Sequence, residues 1–151
     1  MLCFTRDLKR PYSLRILRGI SVADMPNSFY GVIHQMGYDV LGVYLVDFKN
    51  NQGGELSGKH YAVLLNGISN DDTFLVVTIT IKKTGKKYRG GFTIVCTKYK
   101  KNPTYDKAFV KVIKIREIHK SRIYGKKIYD LDDEDIGKLK ESFFKIFKFL
   151  I

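Results

Sequence analysis

His60 directly follows Lys59 where a polar loop gives way to an apolar run, and Thr80, trailed by Lys82 and Lys83, closes another such run. Histidine exchanges its proton near neutral pH, so it can take one from a ribose hydroxyl or return one to a leaving oxygen. A threonine hydroxyl can donate to a phosphate oxygen, and a lysine can stabilise charge developing on it. Taken alone, a histidine beside a loop is more often a surface residue, and His34 and His119 are read that way.

Charge indicates what such groups would act on. The 151 residues carry 27 Lys and Arg against 15 Asp and Glu, a formal +12. Six of the 15 acids fall between Asp130 and Glu141, leaving a basic body. From Lys82 to Lys101 no acid occurs, while Lys82, Lys83, Lys86, Lys87, Arg89, Lys98, Lys100 and Lys101 alternate with Tyr88, Phe92 and Tyr99. Cations that neutralise phosphates, beside rings that stack on unpaired bases, suit single-stranded nucleic acid. The alternative is a solvated, lysine-rich hairpin. An anionic membrane surface is a weaker candidate, because the basic residues are interleaved with strand residues instead of lining one helix.

Several chemistries are disfavoured. Zinc-ligand spacing, a P-loop and a Gly-x-Ser-x-Gly elbow are all missing, so no metal or cofactor is expected. Cys3 and Cys96 stand far apart and read as reduced thiols of a cytoplasmic protein. The first 18 residues are interrupted by arginines and a lysine, unlike a secretory signal, and no apolar run approaches the roughly 20 residues of a membrane-spanning helix.

The elements that must position these side chains are mostly strands. Apolar, β-branched runs lead from Val40 to Phe48, from Tyr61 through Leu65 and from Phe74 to Ile81, with further strands expected at 91–97, 108–115 and near Ile123. Near the C-terminus the period becomes helical, with Ile136, Leu139, Phe143, Phe144, Phe147, Leu150 and Ile151 on one stripe. Asp130 or Asp132 can cap that helix, and Asp133, Glu134 and Asp135 complement its dipole. The expected fold is therefore mainly β with helices (α+β), a compact SH3-like barrel of five to six antiparallel strands with a C-terminal amphipathic helix. One domain spans 1–151, with 1–37 as an N-terminal appendage, 39–129 as the barrel and 131–151 as the helix.

The same segments carry a family resemblance. Val43-Tyr-Leu-Val-Asp-Phe and Gly53-Gly-Glu-Leu-Ser-Gly-Lys-His-Tyr-Ala-Val-Leu-Leu resemble the first strand, the Gly-Ser-Glu-x-x-Gly-x-Arg-Pro loop and the second strand of the MazF/PemK/Kid toxins, which are endoribonucleases. Val76-Val-Thr-Ile-Thr-Ile is similar to their third strand, and Ile115-Arg-Glu-Ile-His-Lys-Ser-Arg-Ile to their Ile-Arg-x-Ile-x-x-x-Arg-Leu segment. Leu131-Asp-Asp-Glu resembles the start of their last helix. The family's Arg-Pro pair is His60-Tyr61 here, so its catalytic arginine is replaced, whereas its catalytic threonine or serine matches Thr80.

The resemblance implies metal-independent cleavage of single-stranded RNA, leaving a 2′,3′-cyclic phosphate and a 5′-hydroxyl. His60 would transfer protons, Thr80 would bond the phosphate, and Lys82 or Lys83, with Lys59, would stabilise charge. Ser57, Lys83, Lys86, Lys87, Tyr88, Arg89, Lys98, Lys100 and Arg116 are expected to bind RNA. Thr80-Ile-Lys-Lys also resembles an element of the ToxN/CptN-like toxins of type III systems. With the surplus positive charge, that favours a structured RNA antitoxin over a small acidic protein. A dimer or a closed toxin–antitoxin assembly is implied by the family. The alternative, from another class, is a non-catalytic RNA-binding barrel with His60 incidental.

Overall fold

The computed structural model describes residues 37–150, apart from 51, 54–55 and 67–71. The N-terminal segment, with Cys3 and His34, lies outside the described residues. Six strands and one helix follow in chain order: β1 (Gly42–Asp47), β2 (Lys59–Leu64), β3 (Thr73–Ile81), β4 (Phe92–Val95), β5 (Lys107–His119), β6 (Ile123–Asp130) and α1 (Asp133–Ile146). They form one antiparallel sheet in the order β4-β5-β3-β2-β1-β6.

Strand alternation sends neighbouring side chains to opposite faces, and both faces of this sheet are buried over much of their area. On one face Val43, Val63, Val77, Ile79, Ile94 and Val110 form a core closed by Leu139 of α1, with Ile136, Phe143 and Ile146 packed against it. On the other, Tyr44, Val46, Phe48, Ala62, Phe74 and Ile118 form a second core that the helix does not enter. A sheet with two inner cores is curled, as the barrel expectation requires.

The curl is made at β5. Val77 pairs with Ile115 but the next residue, Thr78, pairs with Lys111, so three residues of β5 are looped out of the ladder. Extra residues on one strand bend it and increase its twist. Glycine makes the bend possible: a Cβ on Gly91 would lie 1.8 Å from the Val110 carbonyl oxygen, and one on Gly90, at φ +71°, would strike Ile113. Only a residue without a side chain lets β4 come so close.

The helix starts where its acids allow. Asp132 caps it, its carboxylate accepting from the Asp135 amide at 2.8 Å. Asp135 is fully buried, and it accepts from the Tyr99 hydroxyl at 2.7 Å. Lys98 pairs with Asp132, Glu134 and Asp135 together. The helix is shorter than the stripe predicts, ending at Ile146 before a single turn of 3₁₀ helix over Lys148–Leu150. Beyond the helix end Phe149 and Leu150 are exposed, as is Phe144 within it. No helix among the described residues is long and apolar enough to cross a membrane.

Candidate active site

One transverse row of the helix-free face holds the groups that sequence pointed to. Val46 pairs with His60 across β1 and β2. The β2–β3 ladder ends at the pair of Tyr61 with Ile79, so continuing its register one step outward brings His60 opposite Thr80. Thr80 pairs with Phe109 on β5, and Phe109 with Thr93 on β4. Antiparallel partners share a face, so His60, Thr80 and Thr93 are brought to one side although β2 and β4 lie 28 or more residues apart in sequence.

The loop that precedes β2 sets the state of His60. It is closed at its neck by two backbone bonds, Phe48 N–H to the Gly58 carbonyl and Gly58 N–H to the Lys49 carbonyl, both 2.9 Å. Gly58 turns there with φ +79°, a left-handed conformation that favours glycine. The Asp47 carboxylate accepts from the Lys49 amide at 2.9 Å and steadies the turn. Nε2 of His60 lies 3.0 Å from the Ser57 carbonyl oxygen. A carbonyl only accepts, so Nε2 carries the hydrogen and, in the neutral ring, Nδ1 keeps its lone pair. The ring also packs beside Phe48, at 6.4 Å between centroids.

Arg116 supports the same loop from β5. Its Nη1 donates to the Leu56 carbonyl at 3.1 Å, and its guanidinium lies 5.5 Å from the centre of the Phe48 ring. Arg116 and His60 thus bind consecutive carbonyls of one loop and both touch one phenylalanine. Lys82 extends the face beyond Thr80, its amine donating to the Thr93 hydroxyl at 2.7 Å while its backbone N–H reaches the Lys107 carbonyl.

Other expected site residues are placed elsewhere. Lys59 alternates with His60, so it occupies the opposite face, where its amine sits 4.6 Å over the Tyr124 ring; it is not brought to His60. Lys98 is committed to the helix start, and its bond to Asp132, the largest cause, raises its pKa. That makes it a tie for α1 rather than a contact held open for RNA. Tyr88 is a pin for the β3–β4 loop: its hydroxyl donates to the Ile81 carbonyl and accepts from the Lys83 amide, both 3.0 Å, and its ring packs on Phe109. Lys86 reaches over that ring. Lys83, Lys87, Arg89 and Lys100 are exposed, as is Ser57, whose carbonyl rather than hydroxyl meets His60. His119 caps a turn of 3₁₀ helix through Ser121, and Cys96 is half-buried as a free thiol.

Thr93, Lys111 and Thr78 of this face were not singled out by sequence. Lys111 pairs with Thr78 one row inward from Thr80. Strand parity, with Lys107, Phe109 and Lys111 alternating, was the available signal. Thr78 is wholly buried, and its hydroxyl has no hydrogen-bond partner among the described residues.

The six-stranded curled sheet with one C-terminal helix is the fold of the MazF endoribonucleases. Solved structures that share it include MazF from Deinococcus radiodurans, at TM-score 0.56 and 13% identity over 74% of this chain and 96% of that one, and an endoribonuclease in complex with its cognate antitoxin from a mycobacterial species, at TM-score 0.51 and 10% identity over 72% and 93%. A family model described as PemK-like, MazF-like toxin of type II toxin-antitoxin system matches residues 40–147. The chain belongs to that toxin family. A comparison with curated proteins gave no match, and nothing found supports the RNA-inhibited, type III branch.

Proposed function

We propose that the protein is the toxin of a toxin-antitoxin pair and cleaves single-stranded RNA without a metal ion. Attack by the 2′-hydroxyl on the adjacent phosphate forms a 2′,3′-cyclic phosphate and expels the 5′-oxygen of the next nucleotide, which takes a proton from water to become a 5′-hydroxyl. In this reading Nδ1 of His60 takes the hydroxyl proton, the Thr80 hydroxyl donates to a phosphate oxygen, and Lys82 offsets charge growing in the transition state. The observation that carries it is the placement of His60 and Thr80 on one face, each one residue beyond the Tyr61–Ile79 pair of the β2–β3 ladder, with Nε2 of the histidine already engaged by Ser57. The family's antitoxins in type II systems are proteins, so a small acidic protein is the proposed inhibitor in place of a structured RNA.

The test is incubation of the purified protein with matched RNA and DNA strands in EDTA. RNA should be cut to products ending in cyclic phosphate while DNA, lacking the attacking hydroxyl, survives. Dependence on added metal, or cleavage of DNA, overturns the mechanism. For the inhibitor, co-purification from cells carrying the native flanking DNA should yield a stoichiometric acidic polypeptide, and an RNase-sensitive nucleic acid in its place refutes that part.

A further inference from the structure

Immediately beyond Thr80 a cleft opens between residues 81–84, which leave β3, and residues 104–107, which enter β5. Both walls are fixed. Tyr88 bonds the Ile81 carbonyl and the Lys83 amide on one side, and on the other the Asp106 carbonyl accepts from the Cys96 amide at 2.8 Å. Across the cleft the Lys82 amide donates to the Lys107 carbonyl at 3.1 Å.

The lining has an unusual composition for so basic a surface. Lys83 and Lys107 supply exposed cations, and Tyr105 is 51% exposed. Asp106 is the sole acid between Asp72 and Glu117. It is exposed and forms no ion pair among the described residues. A site built only for phosphate gains nothing from a carboxylate, which would repel the anion. A carboxylate there suits a base edge that donates, and a neighbouring tyrosine ring suits a base face. Guanine offers N1–H and N2–H side by side, matching the two oxygens of one carboxylate. Uracil instead presents a single N–H flanked by two carbonyl oxygens, which the carboxylate repels.

We infer that this cleft is a base-recognition subsite that takes a guanine of the bound RNA beside the cut, with Asp106 accepting from its Watson–Crick edge, Tyr105 stacking on it, and Lys83 and Lys107 holding its phosphate. The inference rests on the RNA-cleaving reading above for the identity of its ligand. The strand rise of about 3.3 Å per residue puts residues 81–83 within about 10 Å of Thr80 along β3, the span of one to two nucleotides.

Titration of the full protein with guanosine and uridine 5′-monophosphates, followed by NMR at the 104–107 amides, tests the subsite without requiring cleavage. Wild type should bind the guanine nucleotide about tenfold more tightly. Asp106→Asn should abolish that preference, and Tyr105→Ala should weaken both nucleotides. Equal binding by wild type, or an unchanged preference in Asp106→Asn, overturns the inference. A second arm maps cut sites in a random RNA pool: guanine enrichment beside the cut that disappears in Asp106→Asn supports the subsite. Cutting without such enrichment defeats the subsite and leaves the nuclease reading intact. Guanine binding through Asp106 with no RNA cleavage defeats the nuclease reading instead.

Discussion

Whether His60 can act as a base depends on which ring nitrogen carries its hydrogen, and the Ser57 carbonyl decides that. His60→Ala should reduce RNA cleavage roughly 100-fold or more, the scale of losing a positioned proton-transfer group, and Thr80→Ala should do so through loss of a phosphate donor. Neither side chain belongs to the two cores, so circular dichroism and melting should stay close to wild type. Arg116 works one step removed, by holding the Leu56 carbonyl. Arg116→Met should lower the rate by about tenfold, since small misplacements of reacting groups carry costs of this size or more. If positioning is its role, the pH–rate profile should change with the rate. A merely structural defect would lower the rate uniformly. Thr78→Val provides the opposite case. It replaces a buried hydroxyl lacking a partner among the described residues with a methyl of similar shape, and should raise stability by about 1 kcal/mol in thermal or urea melts.

At the scale of elements, α1 is held by two kinds of interaction that separate experimentally. Leu139, 3% exposed, is its apolar anchor in the sheet core, so Leu139→Ala should cost about 2–5 kcal/mol. Its start is held by charge. The bond from Lys98 keeps the Asp132 carboxyl below its ordinary value of 3.8, and Lys138, then Lys98, keep Glu134 below 4.5. Carboxyls whose folded pKa is depressed stabilise fully above their unfolded values, and that contribution disappears as pH falls through the depressed ones. The melting temperature should therefore decline on acidification below about pH 4, and Lys98→Met should make that decline shallower. The strands and the Asp132 cap were legible in sequence because β-branched runs and capping chemistry are local signals. The length of β6 was not: its burial is slight, and pairing with β1, rather than its own polar sequence, makes it a strand. The roles of Lys98 and Tyr88 were hidden for the same kind of reason. A cation in a basic window looks available until its partners, 34 to 37 residues onward for Lys98, are in place. The face of Lys59 required only strand parity from His60, a signal present in the sequence.

For the whole molecule, net charge governs encounter more than chemistry. At +12, affinity for single-stranded RNA should fall steeply with salt, with a log–log slope of about −0.7 per phosphate neutralised. Replacing the exposed Lys87 and Arg89 with alanine should make that slope shallower and weaken binding across sequences. The cleavage rate at saturating RNA should remain near wild type. Filter binding across a salt series, paired with single-turnover kinetics, checks both. Loss of rate without a change in slope would place these residues in the chemistry instead.

The pairing of Gly42 with Asp130 joins the first described strand to the last. The sheet is therefore incomplete until nearly the whole chain has been synthesised, and pairing of such long sequence separation forms slowly. A growing chain has its His60 and Thr80 long before it has the strand that completes the edge beside β1. In genetic terms, a premature stop codon almost anywhere upstream of residue 130 should disarm the gene, leaving fragments that cannot cut. Spontaneous survivors of unopposed expression should carry truncations scattered along the reading frame, rather than substitutions confined to His60 and Thr80.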